Sequence, residues 1–142
     1  MANQLYATAV EGLLKDEIIL ASHAVYAYLV NIAGGHYVVN IASDKFLNAI
    51  ASGDRVAATS AVASKTLSGR VFDFADPAGG FGTVATGPAL GAIVIVADPV
   101  GDVNAATMRL VAYIDSATGL PVTPDGTTIT FALNASGLWT IG

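Results

Sequence analysis

From residue 18 onward, apolar and polar positions follow the two-residue period of β-strands, in short runs separated by glycine, proline, asparagine and aspartate. Residues 90–97 form the most apolar run and are expected at the centre of a sheet, with residues 108–115 (MRLVAYID) beside them. In residues 23–32 (HAVYAYLVNI), Val25, Ala27, Leu29 and Asn31 share one face. His23, Tyr26, Tyr28, Val30 and Ile32 keep register with neither face, which predicts a bulge or a strand buried on both sides. Gly34 and Gly35 turn the chain into residues 36–41, read as a hairpin partner. Further strands are expected over 55–62, 67–75, 81–85, 128–133 and 138–141. Residues 76–80 (DPAGG) make a turn, 99–106 a polar loop, and Pro121 marks 120–126 as loop or edge.

Two segments carry helical spacing instead. In residues 3–14, Leu5, Tyr6, Ala9, Val10, Leu13 and Leu14 form one stripe, with Asn3 as N-cap. Gly12 weakens that helix by about 1 kcal/mol relative to alanine. Such a stripe either packs on its own domain or leaves it as an arm that docks on a neighbour, so Leu5, Tyr6, Val10, Leu13 and Leu14 are the candidate interface residues. A second, shorter helix is expected over 44–50, capped by Ser43, buried through Phe46, Leu47 and Ile50, and stopped by Gly53. Many short strands with two short helices and no recurring βα unit predict an all-β antiparallel sandwich or barrel over 21–142, preceded by a helix or arm over 1–20.

Composition sharpens this picture. Of 142 residues, 54% are apolar and only 12% charged, which excludes disorder, and the absence of cysteine excludes disulfides and thiolate chemistry. The mean hydropathy of +0.62 raises the question of a membrane, but the longest apolar runs, 24–30 and 90–97, are of strand length. No base precedes Lys15, so a signal peptide is not expected, and the chain is read as soluble and cytosolic when made. The net charge is −5, and the six bases (Lys15, Lys45, Lys65, Arg55, Arg70, Arg109) are scattered singly, which argues against nucleic acid as a partner. So much apolar surface with so little charge points to an oligomer or a module docked on an assembly.

The search for chemistry returns turns. His23 and His36 flank the Gly34–Gly35 turn, yet two ligands do not fill a zinc shell. Ser22 and His23, adjacent on a strand, point to opposite faces, and no Gly-x-Ser-x-Gly is present. The carboxylate pairs Asp73/Asp76 and Asp98/Asp102 suit turn roles better than acid–base catalysis, because Asp76 and Asp98 each precede a proline. Residues 79–82 (GGFG) match no phosphate loop, and Asn134 heads a chance glycosylation triplet. Neither an enzyme, a metal nor a cofactor is expected.

Residues 109–130 (RLVAYIDSATGLPVTPDGTTIT) resemble a run in small virion proteins of tailed bacteriophages, and residues 39–50 (VNIASDKFLNAI) and 5–14 (LYATAVEGLL) agree in the same order. After Leu14 those proteins tend to run Gly-Asp and an aromatic, where this chain has Lys15-Asp16-Glu17-Ile18-Ile19-Leu20. The family is that of capsid decoration, or cement, proteins. The resemblance implies a jelly-roll-like β-sandwich on the outer face of an icosahedral head, made in the host cytoplasm and bound to the major capsid protein. It also implies a dimer or trimer that bridges capsid subunits without catalysis. The competing class is a carbohydrate- or receptor-binding β-sandwich of a phage tail, for which Tyr26, Tyr28, Tyr37 and Trp139 are the candidate aromatics.

Overall fold

The computed structural model describes residues 3–69 and 71–130, together with the backbone of 139–140. Among these, the protein is mostly β, with antiparallel sheets and a single short α-helix. Strands β1 (Gln4–Leu5), β2 (Ala24–Val30), β3 (Arg55–Ala58), β6 (Ala92–Asp98) and β7 (Arg109–Ile114) form one sheet in the order β1-β7-β6-β2-β3. Strands β4 (Thr66–Ser68), β5 (Val71–Asp73) and β8 (Trp139–Thr140) form a second, in the order β4-β5-β8. Helix α1 (Ala7–Leu14) follows β1 directly.

The most apolar run is indeed central. Every residue of β6 is buried, and so is every residue of β7, because both faces of this part of the sheet are covered. Ala27 of β2 lies opposite Ile95, and Ile95 opposite Ala112, so one face stacks small and branched side chains. Tyr26 and Tyr28 face Val96 and Val94 on the other face. The expected irregularity of β2 is present as a register shift between Leu29 and Val30 against β3. Phe72, Phe74 and Phe81 belong to the same core cluster as β6 and β7.

Five expectations are corrected. Residues 36–41 do not pair with β2, because β3 and β6 already occupy both of its edges. No α-helix spans 44–50, and Ser43 caps nothing there; only a 3-10 turn, Leu47–Ala49, forms. The reason is visible in the donors: the Leu47 amide bonds the Met108 carbonyl and the Asn48 amide the Ala105 carbonyl, so these N–H groups reach across the fold rather than back along a helix. Residues 67–75 are not one strand, since the chain reverses at Gly69, whose φ of +61° suits glycine, and β4 pairs with β5. Residues 81–85 form no strand, and neither do residues 128–130: the two segments meet only through a Thr83–Thr128 bridge and neighbouring hydrogen bonds. Residues 120–126 do act as an edge piece, with Leu90 and Val122 exchanging both backbone hydrogen bonds. The expectations for 131–133, Asn134 and Trp139's side chain fall outside the described residues. No helix among the described residues is long and apolar enough to cross a membrane.

Candidate interaction surface

The N-terminal segment is stitched to its own sheet. Asn3 is not a helix cap: its side-chain carbonyl accepts the Asp115 and Ser116 amides, and its amide donates to the Ser116 carbonyl. Gln4 and Leu5 then pair with Tyr113 and Ala112, and the chain enters α1 through Tyr6. Of the five candidate interface residues, Tyr6 is fully buried and belongs to the core, while Leu5 and Leu13 are half-buried against it and Val10 is half-buried. Leu14 alone stands free, 84% exposed.

Two polar nodes fix this segment. In the first, Arg109, at the start of β7, donates from Nη1 to Glu17 Oε2 at 2.5 Å and from Nη2 to the Thr8 carbonyl at 2.9 Å, with its guanidinium 5.6 Å from the Phe46 ring centre. The fork suits a carboxylate and a carbonyl at once. It also explains Gly12, since a β-carbon there would lie 2.8 Å from Arg109 Nη2 and 3.0 Å from Ile18 Cδ1. The hydrogen bond from Arg109 holds the Glu17 carboxyl below the ordinary glutamate range, assisted by the charge of Lys45 and opposed by desolvation. In the second node, the Tyr6 and Tyr37 hydroxyls lie 2.9 Å apart, and Tyr37 donates to Asp44 Oδ2 at 2.7 Å, which also accepts the Asn40 amide. Burial, with Asp44 nearby, pushes both phenols far above their ordinary pKa, and burial beside Asp115 pushes Tyr113 to about 12. These phenols stay neutral and act as hydrogen-bonding struts.

The remaining polar candidates serve the chain itself. Asp98 accepts the Gly101 and Val103 amides, closing the loop after β6, and Asp102 accepts from the Thr107 hydroxyl. Asp73 accepts the Phe74 amide. His23 and His36 do not face one another: His23 Nδ1 accepts the Ile19 amide, whereas His36 lies 2.6 Å from Asp54. No group of three potential metal ligands occurs among the described residues.

Apolar side chains, by contrast, are left in solvent at one end of the five-stranded sheet. The register pairs Ala24 with Asp98 and Ala97 with Arg109, so the start of β2, the end of β6 and the start of β7 lie together. Ile19 precedes β2 and its carbonyl accepts the His23 amide; Val100 and Val103 follow β6; Leu14 ends the helix whose Gly12 abuts Arg109. These four are among the large hydrophobic residues the fold exposes. Sequence reasoning singled out Leu14 but missed the other three and the Arg109 fork. Two valines in a loop otherwise rich in Asp, Asn and Gly were the available signal for Val100 and Val103. Compared with known proteins, the chain matches no protein-family profile, no curated protein and no solved structure.

Proposed function

We propose that the chain is a structural virion protein: a decoration, or cement, protein that sits on the outer surface of an icosahedral bacteriophage capsid and bridges neighbouring major capsid protein subunits. Its two sheets would then be the halves of a jelly-roll-like β-sandwich, and it would act as a dimer or trimer without touching nucleic acid or membrane. The observation that supports this best is the contrast at the sheet end just described. There Glu17, Arg109 and Asp98 are tied within the chain, while Leu14, Ile19, Val100 and Val103 face solvent among the exposed Lys15, Asp16 and Asp102. Four large apolar side chains held in solvent on one end of the sheet are area available for burial against protein, with the neighbouring charges at the rim. Many copies on one shell act together, so modest affinity per copy suffices. The resemblance of residues 109–130 to phage virion proteins is the ground for naming the major capsid protein as the partner in this proposal.

Mixing the purified protein with mature, expanded phage heads tests this directly. Saturable, stoichiometric decoration is expected, weakened at least about tenfold by Leu14→Asp or Val100→Asp, since burying one unpaired charge costs more than about 1.4 kcal/mol. Heads that remain bare at saturating protein would refute the proposal.

A further inference from the structure

Among the described residues, three other than glycine have a positive φ: Asp16, Ser64 and Val103. Val103, at +49°, stands apart, because a β-branched side chain is strained in the left-handed region. The strain is held in place from the core side. Asp98, the last residue of β6 and only 3% exposed, accepts the Gly101 amide on Oδ1 at 2.8 Å and the Val103 amide on Oδ2 at 2.9 Å, both charge-assisted bonds. Further along, the Asp102 carboxylate accepts the Thr107 hydroxyl and the Asn104 carbonyl accepts the Thr107 and Met108 amides, which fixes the chain up to β7. The connection from β6 to β7 is therefore built as one shape, and it carries Val100 and Val103 outward, 65% and 57% exposed.

The fold itself does not require valine at position 103. Glycine or asparagine there would relieve the backbone, and a polar side chain would suit the exposure. Strained residues persist where their surroundings over-determine them, and they gather where a protein grips a ligand. Apolar side chains so presented become useful once a partner buries them. The charges beside them indicate its chemistry. Lys15 pairs with Glu11, and Lys45 and Arg109 pair with Glu17, whereas Asp16 and Asp102, both exposed, make no ion pair among the described residues. The exposed unpaired charge at this end of the sheet is thus negative, in a chain of net charge −5, and the complementary surface is basic. Resting on the reading of this sheet end as the capsid-facing surface, we propose that residues 98–103 are its docking knob. Asp98 is the positioning residue, and Val100 and Val103 enter an apolar socket of the partner bordered by lysine or arginine.

The test compares decoration of mature, expanded heads by wild type and three variants, each also followed by thermal melting and amide hydrogen exchange. Val103→Gly removes the strain together with the side chain. It should leave the melting temperature close to wild type while weakening binding about tenfold or more, the loss expected for one buried valine. Asp98→Asn keeps one acceptor oxygen and gives up the other, so exchange at the Gly101 and Val103 amides should accelerate and bound protein should leave the heads faster. Asp102→Asn still accepts the Thr107 hydroxyl, so the loop keeps its shape, and loss of the charge alone should weaken binding most at low salt. Val103→Gly decides the question even where Asp98→Asn fails to fold, because position 103 is exposed. Heads left bare by wild type would refute the functional reading and this inference with it. Wild-type decoration that Val103→Gly equals would overturn the inference alone, and equal or tighter binding by Asp102→Asn would overturn the basic border of the socket.

Discussion

Strands β6 and β7 and the segment of residues 33–54 are held by different physics. In β6 and β7 all thirteen residues are buried, and cohesion is spread over many small contacts with β1, β2 and the layers above and below. The segment of residues 33–54 has a three-residue 3-10 turn as its one named element; Tyr37, Leu47 and Ile50 are buried, but its backbone is tied down by separately placed polar groups rather than by a strand ladder. His36 meets Asp54 at 2.6 Å, Tyr37 meets Asp44 at 2.7 Å, and the Leu47 amide bonds the Met108 carbonyl. Distributed burial degrades in proportion to what is removed, whereas a pinned segment fails locally, one tie at a time.

The largest expected effect belongs to the first region. Ile95→Ala, in the middle of β6 between Ala27 and Ala112, should lower global stability by about 2–5 kcal/mol through lost transfer energy and a residual cavity, read from urea unfolding. Hydrogen exchange should then accelerate at every slowly exchanging amide alike. If only amides near β6 accelerated, the sheet would not be one cooperative unit.

The same contrast explains what was legible in the sequence. Residues 90–97 and 108–115 were placed correctly because burial on both faces writes itself as a nearly continuous apolar run, interrupted in the second only by Arg109 before it ends at Asp115. Phe46, Leu47 and Ile50 have helical spacing too, and Leu47 and Ile50 are indeed buried, yet the backbone donors there bond Met108 and Ala105, some sixty residues away. A pattern of apolar positions reports which side chains go inside, not where each N–H goes. The Arg109–Glu17 pair was invisible for a related reason: its members are 92 residues apart, and nothing in the Lys15-Asp16-Glu17 run marks Glu17 as the partner of a distant arginine. The solvent-facing end of the sheet was partly legible, through Leu14, while Val100 and Val103 were hidden in a loop read as polar.

Gly12 sits where the two kinds of cohesion meet, in a helix packed against the Arg109 fork. By propensity alone Gly12→Ala should stabilise α1 by about 1 kcal/mol. The close approach to Arg109 Nη2 and Ile18 reverses the sign, and a net loss of about 1–3 kcal/mol is expected from overpacking. In an Arg109→Ala background the same substitution should cost markedly less, because its nearest obstacle is gone. Additive effects in this double-mutant cycle would show that the glycine is not reserved for the guanidinium.

Tyr37→Phe should cost about 1–2 kcal/mol, because the Tyr6 hydroxyl and Asp44 each lose a buried partner. Its signature should be local, with faster exchange in residues 33–44 and little change in β6 and β7. A global loss matching that of Ile95→Ala would erase the distinction between the two regions.

The smallest effect is a pH dependence that apolar burial cannot produce. The folded-state pKa of Glu17 is depressed by the Arg109 hydrogen bond, so folding favours its ionised form. That contribution is present above the ordinary glutamate value of 4.5 and disappears as pH falls through it towards the lower folded value. Glu11 and Asp125 are shifted in the same direction, by Lys15 and by Thr127, so wild-type acid sensitivity sums several groups. The informative quantity is therefore the difference between wild type and Glu17→Gln: their melting temperatures should be separated above the ordinary glutamate value and draw together as pH falls below it towards the lower folded value. Salt discriminates further. Glu11 and Lys15 pair in solvent and their contribution should vanish at about 1 M salt, where the screening length is about 3 Å. The Arg109 side chain is only 6% exposed against 42% for Glu17, so the Glu17 difference should outlast that of Glu11→Gln, whose pair is exposed on both sides, as salt rises. If both differences fell together, the fork would be an ordinary surface ion pair, and the N-terminal segment would be held by Tyr6 and the β1–β7 pairing alone.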